Sequence, residues 1–355
     1  WIQGGQHSRL TGSIQKREAF FMKKTFLLLA LVCVLVLLAA CGSKPAADNG
    51  SSDTDASAGD NAAKKYTIGV CQLVTHDALD AATQGFKDAL TEKLGEGNVK
   101  FDEQNASGDS ANCATIVNGF VSSNVDLILA NATAPLQAAA QATADIPVLG
   151  TSVTDYATAL DISDWTGTVG GNISGTSDLA PLDQQAAMIQ ELFPDAKTVG
   201  LLYCSAEPNS VYQCDVIEGY LTQEGYTVAR YAFTDTNDVT SVAQTAADNS
   251  DVIYIPTDNT AASNTEAIAN VVLPAKVPVV AGEEGICNGC GVATLSISYY
   301  DLGHATGEMA AKILAEGGDI STMPVEYAPN VTKKYNAANC EALGITPPDG
   351  YEAIG

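Results

Sequence analysis

The sequence predicts an α/β protein made of two Rossmann-like lobes of one design. The first observation is the stretch 251–263, DVIYIPTDNTAAS, which runs from a short apolar segment through a break at Pro256 into a polar loop and a helical pattern. That order describes a buried parallel strand, the loop at its carboxyl end and a helix N-terminus. The same order is written earlier, at 126–141, DLILANATAPLQAAAQ. The second observation is that neighbouring segments repeat in step. Residues 67–86 match 198–220, and IPVLGTSVT (146–154) matches VPVVAGEEG (277–285), with offsets of 125 to 131 residues throughout. Repeats in one order at nearly one offset indicate two lobes, each about the size of a small domain. Ligands of open α/β sheets bind beyond the carboxyl ends of the strands, so the candidate site is the cleft where the two sets of strand ends face each other.

The chain ahead of the lobes has a different character. Met22 is followed by Lys23, Lys24, an apolar run over 26–40 and then Cys41, the layout of a secretory signal. Residues 1–21 are read as over-called sequence upstream of that start, since Lys16-Arg17-Glu18 fits a purine-rich tract of the kind that precedes bacterial start codons. Leu38-Ala39-Ala40-Cys41-Gly42 resembles the bacterial lipoprotein signal. The resemblance implies cleavage after a 22–40 signal peptide and lipidation of Cys41, whose acyl chains would provide stable membrane anchoring. Residues 42–63 have no aromatic or large aliphatic side chain and are expected to form, within 41–64, a flexible tether.

Net charge is −25, and five of the basic residues (Arg9, Lys16, Arg17, Lys23, Lys24) precede Cys41. So acidic a chain does not bind nucleic acid by counterion release, and anionic lipid repels it. Arg230 is the one arginine after Cys41 and falls in the alternating stretch YTVARYAF. A ligand carboxylate therefore has no guanidinium clamp to meet. It would be held by helix N-termini and hydroxyls.

In order, strands are predicted at 66–70, 99–105, 126–130 and 146–149. Between them run a helix carrying Leu79, Ala82, Phe86, Ala89 and Leu90, a helix over 110–123, and a helix with Pro135 in its first turn, where proline is tolerated. The glycine-rich run 165–175 reads as a crossover between lobes. A helix over 182–193 leads to strands at 198–203, 226–233, 251–255 and 277–281. The chain is then expected to return to the first lobe through 293–298 and a helix over 301–315, and to end with a strand near 325–327 and a helix around 337–343.

The cleft loops so placed carry IGVCQLVTHDALD (68–80), NATAPLQ (131–137), GTSD (175–178), LYCSAEPNS (202–210), PTDNTAAS (256–263) and YYDLGHATGEMAAKIL (299–314). On these the chain resembles solute-binding lipoproteins of ABC importers, in the family that includes the tryptophan/tyrosine-type binding proteins. The resemblance runs over about 66–343. It implies a type I periplasmic-binding-protein fold with three crossovers, lobe 1 spanning 65–175 plus about 293–322 and lobe 2 spanning 176–292 plus about 323–355. It also implies no catalysis, no cofactor, permease subunits as partners, and an aromatic amino acid (Trp, Tyr or Phe) captured by hinge closure. Carried over, the ligand contacts fall on Gln72, Thr75, His76, Thr133, Ala134, Asp178, Ser205, Asn209, Ser210, Asp258, Asn259 and Thr260, with Ser152 and Tyr203 completing the set. Asp258 is expected to pair with the α-ammonium, and Thr133, Ala134, Asn209 and Ser210 with the carboxylate. Each Ser, Thr and Asn also suits a plain helix cap.

Cys71, Cys113, Cys204, Cys214, Cys287, Cys290 and Cys340 follow the anchor. Outside the cytoplasm, Cys204/Cys214 or Cys287/Cys290 can pair, and a lone C-x-x-C is poor support for a metal. The sequence holds no P-loop, G-x-S-x-G or H-E-x-x-H, and no third group to orient a His76/Cys71 pair, which argues against an enzyme. A sensor lipoprotein, or a binder of another solute such as a nucleoside, would share this fold.

Overall fold

A computed structural model describes residues 64–328 and 330–354. The expected upstream over-call, signal peptide, lipidated Cys41 and tether to residue 63 lie outside the described residues. Among the described residues, no helix is long and apolar enough to cross a membrane.

The first lobe alternates β1 (Tyr66–Gln72), α1 (Asp77–Leu94), β2 (Val99–Asn105), α2 (Ser110–Ser122), β3 (Leu127–Asn131), α3 (Thr133–Ala142), β4 (Val148–Val153), α4 (Tyr156–Leu160) and β5 (Ile173–Ser177). The second runs α5 (Leu182–Leu192), β6 (Thr198–Cys204), α6 (Pro208–Gln223), β7 (Thr227–Phe233), α7 (Val239–Asn249), β8 (Val252–Ile255), α8 (Asn259–Ala262), α9 (Thr265–Ala275), β9 (Val279–Ala281), α10 (Glu284–Cys290) and β10 (Ala293–Ser296). The chain closes with α11 (Tyr299–Glu316), β11 (Glu326–Tyr327), β12 (Thr332–Tyr335), α12 (Ala337–Leu343) and β13 (Glu352–Ala353).

Two sheets result, ordered β11-β5-β4-β3-β1-β2 and β13-β12-β10-β9-β8-β6-β7. The first is parallel throughout; in the second β12 runs antiparallel to β10. The central strands are near-continuous aliphatic runs because helices cover both faces: Leu127, Ile128 and Leu129, like Val252 to Ile255, are fully buried.

The lobe boundaries differ from expectation at three places. The 165–175 run is not itself the passage between lobes, because Ile173 onward forms β5 in the first sheet and the chain crosses after Ser177. Residues 293–296 do not return to lobe 1; as β10 they pair with β9 in the second sheet, and the crossing comes just after, before α11. Glu326 and Tyr327 are not in lobe 2: they pair with Thr176 and Ser177 at the edge of the first sheet, and the third crossing precedes β12. Three crossovers therefore connect the lobes. In lobe 1, α11 lies so close to α1 that a Cβ on Gly303 would collide with the Ala82 carbonyl and one on Gly85 with that of Tyr300.

Candidate functional site

The carboxyl ends of β3, β4 and β5 lie side by side, with Asn131 opposite Thr151 and Val153 opposite Ser177. Here α3 begins without a side-chain cap: Ala132 occupies the cap position at φ 102°. The first N–H groups of a helix have no intrahelical partner, so those of Thr133 and Ala134 are open to an anion. One strand over, Ser152 is also left-handed, at φ 54°, and its buried Oγ has no partner among the described residues. Two strained non-glycine residues at adjacent strand ends are the kind of distortion that persists where a site is pre-shaped.

Next in line is Asp178, on the first crossover. Its Oδ2 accepts from Tyr299 Oη at 2.9 Å, its N–H donates to the Val153 carbonyl at 3.3 Å, and its Oδ1 is buried without a partner among the described residues. Burial raises its pKa to about 6, opposed by the hydrogen bond from Tyr299. The segment is held from beneath by Tyr156, whose hydroxyl donates to the Thr176 carbonyl at 3.1 Å. The ring fits because Gly150 and Gly175 leave the sheet bare there; a Cβ on either would meet the Tyr156 hydroxyl.

On the facing lobe the polar groups are already engaged with one another. Asp258 caps α8: Oδ1 accepts from Ala261 N at 2.8 Å and Oδ2 from Cys204 N at 2.6 Å. Burial and the neighbouring Glu207 raise its pKa to about 8. With both oxygens committed to backbone inside the lobe, Asp258 is not the free acid expected for an ammonium. Glu207 is the centre of this side. Its Oε1 accepts from Thr260 N and Oγ1 at 2.8 and 2.7 Å, and its Oε2 from Asn259 N, Asn259 Nδ2 and Asn209 Nδ2 at 3.0, 2.7 and 3.2 Å. This resident carboxylate fills the N-terminus of α8 and also takes up the Asn209 side-chain amide, one of the groups expected to meet a ligand carboxylate. Asn209 Nδ2 also donates to Thr257 O and to the Ser210 hydroxyl.

His76 spans the lobes: its Nε2 lies 3.2 Å from Asn259 Oδ1. Burial lowers its pKa, against the pull of Glu207, Asp80 and Asp77. A cavity of about 430 Å³ opens between Leu73, Val74 and Ala134 of lobe 1 and Cys204, Ala206 and Glu207 of lobe 2. A larger groove of about 910 Å³ follows the crossovers past Ala78, Glu283, Ile297, Tyr299 and Tyr327.

Other expected contacts are engaged within their own lobe. Gln72 is consumed inside lobe 1, donating to Val74 O and Asp80 Oδ1 and accepting from Thr83. Thr75 is exposed and accepts from Asn105 Nδ2. Ser205 Oγ donates to Phe233 O. Tyr203 packs in the lobe-2 core with its hydroxyl near Arg230. Arg230 itself pairs with Asp215 and Glu218 on α6, away from the cleft. The seven cysteines among the described residues are buried free thiols, so neither of the two possible pairings is formed. Among the described residues no group of three or more His, Cys, Asp or Glu could hold a metal.

Glu207, Glu283 and Tyr299 were not singled out from the sequence. Glu207 carried one legible signal, its place just before Pro208 at a helix start. Glu283 caps α10 by accepting from Gly285 N and Ile286 N, and burial raises its pKa to about 7.

Comparison with known proteins agrees with this architecture. The chain is 35% identical over 301 residues to a tyrosine-binding protein of Clostridioides difficile (strain R20291), covering 84% of this chain and 86% of that protein. It is similar to the ABC domain solved in complex with L-Trp from Streptococcus pneumonia, at 33% identity and TM-score 0.78, over 82% of this chain and all of that one. A ligand-free, open substrate-binding protein with adhesive properties from Clostridium difficile matches at 36% identity over 81% of this chain and 99% of that one, with a TM-score of 0.63. The fold is the type I periplasmic-binding-protein fold. The model of the ABC transporter substrate binding protein family matches residues 67–352, and the chain belongs to that family.

Proposed function

We propose that the protein captures an aromatic L-amino acid (Trp, Tyr or Phe) between its lobes and delivers it to the permease of an ABC importer, held at the outer face of the cell membrane by lipid on Cys41. The observation that carries the ligand class is the row at the ends of β3, β4 and β5. The open N–H groups of Thr133 and Ala134 and the unpartnered Ser152 Oγ suit a carboxylate, and the unpartnered Asp178 Oδ1 beside them suits an ammonium. Helix N-termini attract anions without a formal positive charge, and a buried carboxylate left half-satisfied is stabilised by a cation. Asn259 and Thr260, held by Glu207, meet the ligand from lobe 2, and the apolar walls at Leu73, Val74 and Ala134 take its side chain. The relatives that bind tyrosine and tryptophan support the aromatic reading. Capture is binding without turnover: ligand contacts from both lobes favour the closed state.

Isothermal titration against Trp, Tyr, Phe, a nucleoside and a sugar tests this. Heat with at least one aromatic amino acid, and a much weaker response to its carboxamide, is the expected result. Heat with the nucleoside or the sugar alone would overturn it.

A further inference from the structure

The bond between His76 and Asn259 has a polarity that its surroundings fix. Asn259 Nδ2 lies 2.7 Å from Glu207 Oε2, an oxygen that already accepts from Asn259 N and Asn209 Nδ2, so that atom is the amide nitrogen and donates. Asn259 Oδ1 is then the acceptor facing His76 Nε2 at 3.2 Å, which places the imidazole proton on Nε2. In the neutral ring the remaining nitrogen, Nδ1, is an acceptor. It is buried and has no partner among the described residues, although His76 stands at the N-cap position of α1, where its side chain makes no cap bond. An unmatched buried acceptor between the lobes, two residues beyond the Val74 wall of the cleft, is suited to a donor brought by the ligand.

We infer that His76 is a specificity-determining residue whose Nδ1 accepts a hydrogen bond from the ligand's ring. The site then favours aromatic amino acids that carry a ring donor, a phenol O–H or an indole N–H, over the unsubstituted phenyl ring. Glu207 acts behind it as a positioning residue, because it orients Asn259 and thereby holds the tautomer that exposes the acceptor. This rests on the reading of the cleft as an aromatic amino-acid site.

The test is titration of the folded protein with L-tyrosine, L-tryptophan and L-phenylalanine, in the wild type and in His76→Phe. A buried acceptor left unmatched weakens binding, so phenylalanine is expected to bind the wild type at least about tenfold less tightly than the better of the other two. In His76→Phe that ratio collapses toward one. Nitrogen-15 NMR of histidine-labelled wild type should show His76 protonated at Nε2, with the Nδ1 resonance moving on addition of the tighter ligand and not on addition of phenylalanine. Should the variant fail to fold, the wild-type ratio and the resonance still decide. Equal binding of all three, or a His76 protonated at Nδ1, overturns the inference and leaves the aromatic reading standing. Absence of binding by all three overturns the aromatic reading first.

Discussion

Tyr299 holds one oxygen of Asp178 at 2.9 Å and leaves the other buried and without a partner among the described residues. Asp178 lies on the first crossover and Tyr299 opens α11 just after the second, so the acid is fixed between two of the segments that join the lobes. A carboxylate in that state is destabilising until a cation arrives: burial raises its pKa to about 6, so above that pH the unliganded fold carries an unpaired buried charge.

Asp178→Asn therefore separates stability from binding. The amide keeps an acceptor for Tyr299 and removes the charge, so the unliganded melting temperature near pH 7.5 should stay level or rise, by about 0 to 2 kcal/mol in stability. Affinity for an amino acid should drop at least about tenfold, since a buried charge pair is lost. Calorimetry and titration on the same sample check both arms; undiminished affinity would show that the ammonium is held elsewhere.

Asp258→Ala is expected to act through the fold. Its oxygens tie the α8 N-terminus to the end of β6, and loss of a cap of this kind costs about 0.5–2 kcal/mol, more where a buried N–H is orphaned. Thermal unfolding of the unliganded protein should show a clear drop. An unchanged melting point with abolished binding would return Asp258 to the ligand.

Ser152→Gly is the third expectation. A left-handed non-glycine residue carries about 1–2 kcal/mol of strain, while glycine adds about 0.4–1 kcal/mol of unfolded-state entropy, so the unliganded protein should be no less stable than wild type. The hydroxyl offered to the carboxylate is lost, and affinity should fall several-fold. A marked fall in melting temperature with intact binding would make Ser152 a structural residue.

What was legible in the sequence followed from local pattern. Strand, polar loop and helix start recur because each is set by neighbouring residues, and so β1, β3, β6 and β8 fall where the apolar runs predict. What was not legible depends on distant partners. An aspartate one residue before a helix looks the same whether it faces a ligand or caps the helix, and only the approach of Cys204 N, 54 residues away, commits Asp258 inward. Glu207 gains its role from Asn259 and Thr260, 52 and 53 residues further on. The short strand Ala293–Ser296 suits either sheet; its pairing with β9 decides which one it joins.

The last prediction is a pH profile, and two groups contribute to it with the same sign. In the unliganded protein Asp178 has its pKa raised to about 6, and the ammonium pairs with the ionised form. Apparent affinity should therefore rise as pH increases through about 6 and level off above it. His76 is pushed the other way, below the ordinary histidine value of about 6.5, with burial the leading cause. The acids facing it are Asp77 and Asp80 from α1 and Glu207 at the start of α6, and they offset only part of that burial. Its neutral form thus belongs to the arrangement in which it is bonded to Asn259 across the lobes. The advantage of closure is fully present above the ordinary histidine value and is lost as pH falls through the lowered one. Titrations from about pH 5 to about pH 8 should show binding weakening steadily below about pH 6.5. In Asp178→Asn the steep part of that slope should vanish and a shallower one, from His76, remain. A flat wild-type profile across the range would mean that neither group changes its proton on binding, and the charge reading of the hinge site would fall with it.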